Sequence, residues 1–233
     1  MVRRYTTIAA IIDILSRKEL PLLDPSTWED RNDRHFMNLF KSFINAKAMF
    51  AACCTSSNET YHHWHVFAGR SGAYLEFDRA ELEAHLSKLR DNGHQLMFGP
   101  MKYFTLDRLE EGKLKPSDLP FAKRWGFNAE AEYRIIAVSG DKTPTYPVSL
   151  PLRLVKRVVV NFWLPESVFA SVKTAIKKID GCSSLNVVRS QLIDNERWKV
   201  AGIRVVLGAQ RRSYSFSKSA AKIPTPKLHQ SGH

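Results

Sequence analysis

Ile8, Ile11, Ile12 and Leu15 recur at three- and four-residue spacing, one apolar helix face following a short extended entry at Arg4, Tyr5, Thr6 and Thr7. Phe36, Leu39, Phe40 and Phe43 repeat that spacing and predict a second amphipathic helix. Between them, residues 20–23 read as an edge strand, because Pro21 cannot donate to a sheet ladder. The apolar run at 48–54 predicts a buried strand ending in Thr55, Ser56 and Ser57. Residues 59–67 can be helical, with Tyr61, Trp64 and Phe67 on one side, and 73–77 form the next strand. Asp78 is placed to cap a helix over 79–90. Residues 99–104 are a further strand candidate, 116–124 are expected to be helical, and 132–138 form a clear strand. Strands follow at 155–160 and 186–189, with a helix over 166–178 opened by Pro165 and closed by Gly181.

Strands and helices alternate without the repeating cadence of a parallel sheet. The expected fold class is α+β, a single domain of mixed or antiparallel sheets with flanking helices. Residues 1–208 make up the expected globular domain, and 209–233 a basic, flexible tail rich in Ser, Lys and Pro.

Composition narrows the partners. Hydrophobic residues are 44% of the chain and no apolar run approaches the ~20 residues that cross a bilayer, so no membrane association is expected. Asp13, Arg17 and Lys18 interrupt the segment where a signal-peptide core would lie, which points to the cytoplasm. Cys53, Cys54 and Cys182 are expected as reduced thiols. The net charge is +12, of which five positive charges fall in the acid-free stretch 209–233. That excess favours polyanion partners, RNA or DNA, with Arg211 and Arg212 as candidate contacts. A merely solvated basic surface accounts for the same charge.

Several reaction classes lack their signatures: there is no glycine-rich phosphate loop, dinucleotide-fold fingerprint or nucleophile elbow. His62 and His65 could share a helix face near Cys54, but no second ligand pair accompanies them, and no metal site is expected. Glu130 and Glu132 are more informative. Two residues apart on a strand they would project together, and paired carboxylates repel unless cations stand close. They are either a working pair or surface glutamates bridged to Arg124 or Arg134. Arg4, in an apolar context, is a candidate carboxylate or phosphate partner, and Thr55 and Ser56 offer hydroxyls at a strand end. Trp64, Trp125 and Trp163 fit a core at least as well as a stacking platform.

The ordered segments resemble a bacterial family catalogued as a domain of unknown function. The likeness rests on Arg4-Tyr5-Thr6, on Trp28-Glu29-Asp30-Arg31-Asn32-Asp33, and on Cys54–Ser56 with Glu59 and Trp64. It continues through residues 72–77 to Glu130-Ala131-Glu132-Tyr133-Arg134. It spans residues 3–202, with Trp125 lying further from Glu130 than is usual in that family. The layout is also similar to mono-ADP-ribosyltransferases. That likeness implies an ADP-ribosyltransferase-like fold with NAD as substrate: Arg4 on its phosphates, Thr55 and Ser56 near the nicotinamide, Tyr61 or Trp64 beside it. Glu132 would stabilise the reacting ribose, and Glu130 would orient or deprotonate an acceptor. The same likeness implies a toxin or phage-defence effector modifying nucleic acid or protein, restrained by an antitoxin or partner protein. Two other readings stay open: a non-catalytic nucleic-acid-binding module, and a metal-dependent nuclease or hydrolase using Asp30 or Asp33 beside Glu132.

Overall fold

A computed structural model describes the backbone of residues 1–220 and the side chains of residues 1–208. One compact unit spans Met1–Leu192. Its strands are β1 (Val2–Thr7), β2 (Glu19–Leu23), β3 (Ala48–Thr55), β4 (Gly72–Phe77), β5 (Leu96–Pro100), β6 (Lys102–Phe104), β7 (Ala122–Arg124), β8 (Glu132–Ser139), β9 (Thr145–Ser149), β10 (Val155–Val160) and β11 (Val187–Arg189). Its helices are α1 (Ile8–Arg17), α2 (Arg31–Phe43), α3 (Tyr61–His63), α4 (Arg79–Asp91), α5 (Leu106–Glu110) and α6 (Glu166–Lys177). The unit is α+β, a mixed sheet flanked by helices. All pairings are antiparallel except β10 with β11 and β6 with β7.

The sheet branches at β3. Strand β8 runs along it from Ala48↔Ser139 to Thr55↔Glu132. On the rest of the path β1 and β2 both join β3, at Arg3↔Thr55 and Leu23↔Ala51. Beyond β1 the order continues through β4, β10 and β11, and beyond β2 to β9. Thr55 is therefore where β1, β3 and β8 meet, and the chain's first strand is brought beside residue 132.

Burial explains why β3 reads as an unbroken apolar run. Phe50 and Ala52 pack into one cluster with α1, α4 and α6, whereas Met49 and Ala51 pack into another with Met37 and Phe40 of α2. Alternate residues thus enter different cores, and a strand covered on both faces has no polar side to show. Each large apolar side chain so buried contributes roughly 1.5–3 kcal/mol. A third cluster gathers Tyr5, Trp64, Tyr74 and Phe162.

Capping follows the sequence. The Asp78 side chain accepts from the Glu81 amide at 3.0 Å, and that of Asp30 from Asn32 and Asp33 at 2.9 and 3.3 Å. Helix α3 passes into a π-turn, Trp64–Ala68, replacing the regular helix expected over 59–67. Gly72 follows so closely that a Cβ there would sit 2.1 Å from the Ala68 carbonyl oxygen.

The structure departs from expectation chiefly between 96 and 149. The strand expected at 99–104 is two, β5 and β6, and the helix expected at 116–124 is a 3₁₀ turn leading into β7. Pro120 explains this: inside the segment it removes an amide donor that a longer helix needs, whereas Pro116 opens the turn at a position where no donor is required. Beyond Leu192 a second unit begins, and its described part is residues 193–195 followed by helix α7 (Glu196–Ala220). That helix continues past position 208, where the sequence predicts the end of the folded body. The first prolines of this stretch lie at 224 and 226, so no proline interrupts it. No helix among the described residues is long and apolar enough to cross a membrane.

Candidate functional site

Where β1, β3 and β8 meet, a cavity of about 420 Å³ opens, lined by Arg4 and Tyr5 of β1, Cys53 and Thr55 of β3, and Glu130 and Glu132. Trp28, Phe67 and Phe127 supply aromatic walls, and Asp30, Asp33 and Lys123 close one side.

Glu132 opens β8 and is 4% exposed. Its Oε1 accepts from Arg134 Nε at 2.8 Å and its Oε2 from Lys123 Nζ at 3.0 Å. Burial alone would raise its pKa, but Arg134 and Lys123 outweigh that and hold it at about 2. The carboxylate is a permanent anion at neutral pH. The residue's own amide donates to the Tyr103 hydroxyl at 2.7 Å, and its carbonyl accepts from the Met101 amide at 2.8 Å, so its backbone is fixed as well.

Glu130 does not lie on the strand that its spacing from Glu132 predicts. It ends a 3₁₀ turn, Trp125–Glu130, and Ala131, in the left-handed region at φ +43°, separates it from β8. The two carboxylates still converge, through Lys123 rather than strand alternation: Lys123 Nζ lies 2.6 Å from Glu130 Oε2 and 3.0 Å from Glu132 Oε2. Neither of the arginines that the sequence offers as partners, Arg124 and Arg134, holds Glu130; Arg134 serves Glu132. Burial raises the Glu130 pKa despite Lys123. One environment thus pushes two neighbouring carboxyls apart, one down and one up.

The Glu130 turn is pinned from beneath. Thr55 Oγ1 donates to the Glu130 carbonyl at 2.6 Å, and His63 Nε2 donates to the same oxygen at 3.1 Å. His63 Nδ1 then accepts from the Thr60 hydroxyl. Burial lowers the His63 pKa, so the ring stays neutral in that tautomer. Histidine here orients a backbone; among the described residues no three His, Cys, Asp or Glu side chains are grouped so that they could hold a metal ion.

Behind Glu132 stands Arg134, fully buried and bidentate to Asp33 at 2.9 and 2.7 Å. Asp33, Met37 and Phe40 fall on one face of α2, which carries the carboxylate to the sheet. The Trp28 ring covers the Arg134 guanidinium at 4.7 Å. Asp33 and Glu132 therefore already have cationic partners, which a metal-bridging role for this pair would have to displace.

Arg4 completes the arrangement. Its Nη1 donates to the Cys53 carbonyl at 2.7 Å, and among the described residues it forms no ion pair. Its neighbour Arg3, which also lines the cavity, pairs at 2.8 Å with Glu76, a carboxylate it shares with Arg157. The cavity therefore carries charges of both signs. An uncompensated guanidinium lines it with five carboxylates: Asp33, Glu130 and Glu132, which share the cations Lys123 and Arg134, and beside them Glu29 and Asp30.

Not every expected residue reaches this place. Arg4, Thr55, Glu130 and Glu132 line the cavity together. Ser56 lies outside that lining, its amide donating to the Ala131 carbonyl at 2.9 Å. Trp64 is fully buried in the core, with Nε1 donating to Glu59 at 2.8 Å, and has no face free for a ligand. Tyr61 is 52% exposed and packs instead on His65 and Trp163. The Arg211 and Arg212 side chains lie outside the described residues. Lys123, His63 and Tyr103 give no sign of their roles in the sequence, whereas Asp33 stands there both within the Trp28–Asp33 motif and as a candidate carboxylate beside Glu132. Nothing near Lys123 marks it. Compared with known proteins, the chain matches no family model, no curated protein and no solved structure.

Proposed function

We propose that the protein uses NAD to transfer ADP-ribose to an acceptor. The observation that carries this reading is that Arg4 and Glu132, about 130 positions apart in the chain, line one cavity that holds both a guanidinium without an ion pair and fixed carboxylates. NAD has the matching polarity, an anionic diphosphate and a cationic nicotinamide ring. Arg4 would hold the diphosphate through charge-assisted hydrogen bonds. Glu132, an anion fixed by Arg134 and Lys123, would bind the ribose beside the scissile bond and stabilise the positive charge developing at its anomeric carbon. In many enzymes such preorganised electrostatic stabilisation lowers the barrier more than any other effect. The aromatic walls Trp28, Phe67 and Phe127 suit planar rings.

Glu130, with its raised pKa, suits the proton-accepting role. The bond from the anomeric carbon to nicotinamide breaks with its electron pair leaving on nicotinamide. The acceptor's nucleophile bonds to that carbon and its proton passes to Glu130, with no net oxidation. Two carboxyls with divergent pKa values are the pattern expected of such divided roles.

The test is incubation with NAD labelled in the adenylate half, with RNA, DNA and protein acceptors, measuring label transfer and nicotinamide release. The native chain is expected to do both and Glu132→Gln to lose both. No release and no transfer by the native chain across all acceptors overturns the reading.

A further inference from the structure

The turn at 61–69 separates aromatic residues that a regular helix would set on one side. The Gly69 amide donates to the Trp64 carbonyl five residues back at 2.8 Å, and Gly69 takes φ +63°, so the chain widens into the π-turn. Trp64 goes into the core, whereas Tyr61 at 52%, Val66 at 56% and Phe67 at 41% stay exposed. The Tyr61 ring is held in place. It lies within 15° of parallel to Phe162 and meets Trp163 edge-on, at 6.0 and 5.5 Å between centroids. His65 packs 4.6 Å from Tyr61 and 4.7 Å from Trp163, and the Arg70 guanidinium stands 5.5 Å over the Trp163 ring.

Charge selects the occupant of this surface. No acid occurs between Tyr61 and Leu75. The acids that flank the segment and Trp163 are engaged: Glu59 accepts from Trp64 and Ser190, and Glu166 pairs with Arg189 at 3.3 Å. Arg70 forms no ion pair among the described residues, and His62 and His65 are exposed in the same segment. Exposed rings, an unpaired guanidinium and no acid suit an anionic chain that carries flat rings, because every base has a face to stack. We infer that this surface binds single-stranded nucleic acid, with unpaired bases on Tyr61 and Phe67 and a phosphate on Arg70. Val66 and Phe67 also line the cavity that holds Arg4 and Glu132, so a strand held here lies beside it. The inference rests on the transferase reading for the strand's role as acceptor, though not for its binding.

The experiment is fluorescence anisotropy of the full chain without NAD, using labelled oligouridylate, labelled oligothymidylate and a duplex of the same length. At least one single strand is expected to bind about tenfold tighter than the duplex, the scale of one stacked base. Tyr61→Ala should weaken that strand about tenfold and Tyr61→Phe, which keeps the ring, should retain it, with thermal unfolding as the folding control. Arg70→Gln, at an exposed position, should reduce the slope of affinity against salt by about one phosphate contact. No binding of either strand, equal affinity for the duplex, or affinity and salt slope unchanged in both Tyr61→Ala and Arg70→Gln overturns the inference. So does polyglutamate that displaces the strand as well as unlabelled strand does, which assigns the surface to an acidic protein instead. Calorimetry with NAD alone keeps the two claims apart. Strand binding through Tyr61 in a chain that does not take NAD sustains the surface and sinks the transferase, and NAD binding without strand binding overturns the surface alone.

Discussion

Two ion clusters lie on the same sheet and differ in how they balance. In one, Glu76 of β4 stands between Arg3 at 2.8 Å and Arg157 at 2.7 Å, two cations on a single carboxylate. In the other, Asp33, Glu130 and Glu132 share Lys123 and Arg134, and Arg4 lines the same cavity with no carboxylate of its own among the described residues. The first ties neighbouring strands β1, β4 and β10 together. The second gathers residues from α2, β7, the 130 turn and β8 around an open space. A cluster built only to hold strands needs none of that reach, and the second is the cluster on which the proposed transferase reading rests.

Breaking each cluster should separate them. Arg134→Met leaves Asp33 and Glu132 buried without their main cation and is expected to cost about 3–5 kcal/mol in urea unfolding. Arg157→Gln removes a partner that is 38% exposed and leaves Arg3 in place, so a loss of under about 1 kcal/mol is expected. Similar losses from the two would erase the distinction. On activity, Glu132→Gln should lower nicotinamide release by about 10²–10³-fold, the scale of losing one preorganised electrostatic group.

Acid titration sharpens the picture further. The Glu132 pKa, lowered from 4.5 to about 2, gives stability that is present above the unfolded value and is lost as pH falls towards 2. The shift corresponds to about 3 kcal/mol, and Glu132→Gln should flatten the acid limb of the unfolding curve. Glu130 runs the other way. Its raised pKa means the folded chain holds that proton more tightly, so its contribution falls as pH rises through the raised value. The acid limb of the activity profile should follow Glu130 and disappear in Glu130→Gln. Least severe is Thr55→Val. Losing one of two donors on the Glu130 carbonyl should cost about 1 kcal/mol and reduce turnover modestly, because His63 still holds the turn.

Much of this molecule is legible in the sequence where a residue's role follows from local spacing. The periodic faces at 8–15 and 36–43, the cap Asp78, and the buried run at 48–54 all obey short-range rules. The region that delivers Lys123 does not. Prolines break its helix pattern, and three-residue strands carry too little periodicity to declare themselves. Glu130 and Glu132 stand out in the sequence through strand alternation, yet Ala131 turns the chain between them, and a lysine seven to nine positions earlier brings them together. Trp64 and Tyr61 show the converse: aromatic residues look alike in sequence whether they line a cavity or fill a core.

The most direct measurement is calorimetric titration of NAD into the native chain and into Arg4→Gln, with thermal unfolding as the control for folding. Saturable binding by the native chain, weakened about tenfold or more in the variant at an unchanged unfolding midpoint, is the expected result. No binding by the native chain, or equal affinity in both, would contradict the claim that Arg4 and Glu132 frame one NAD site.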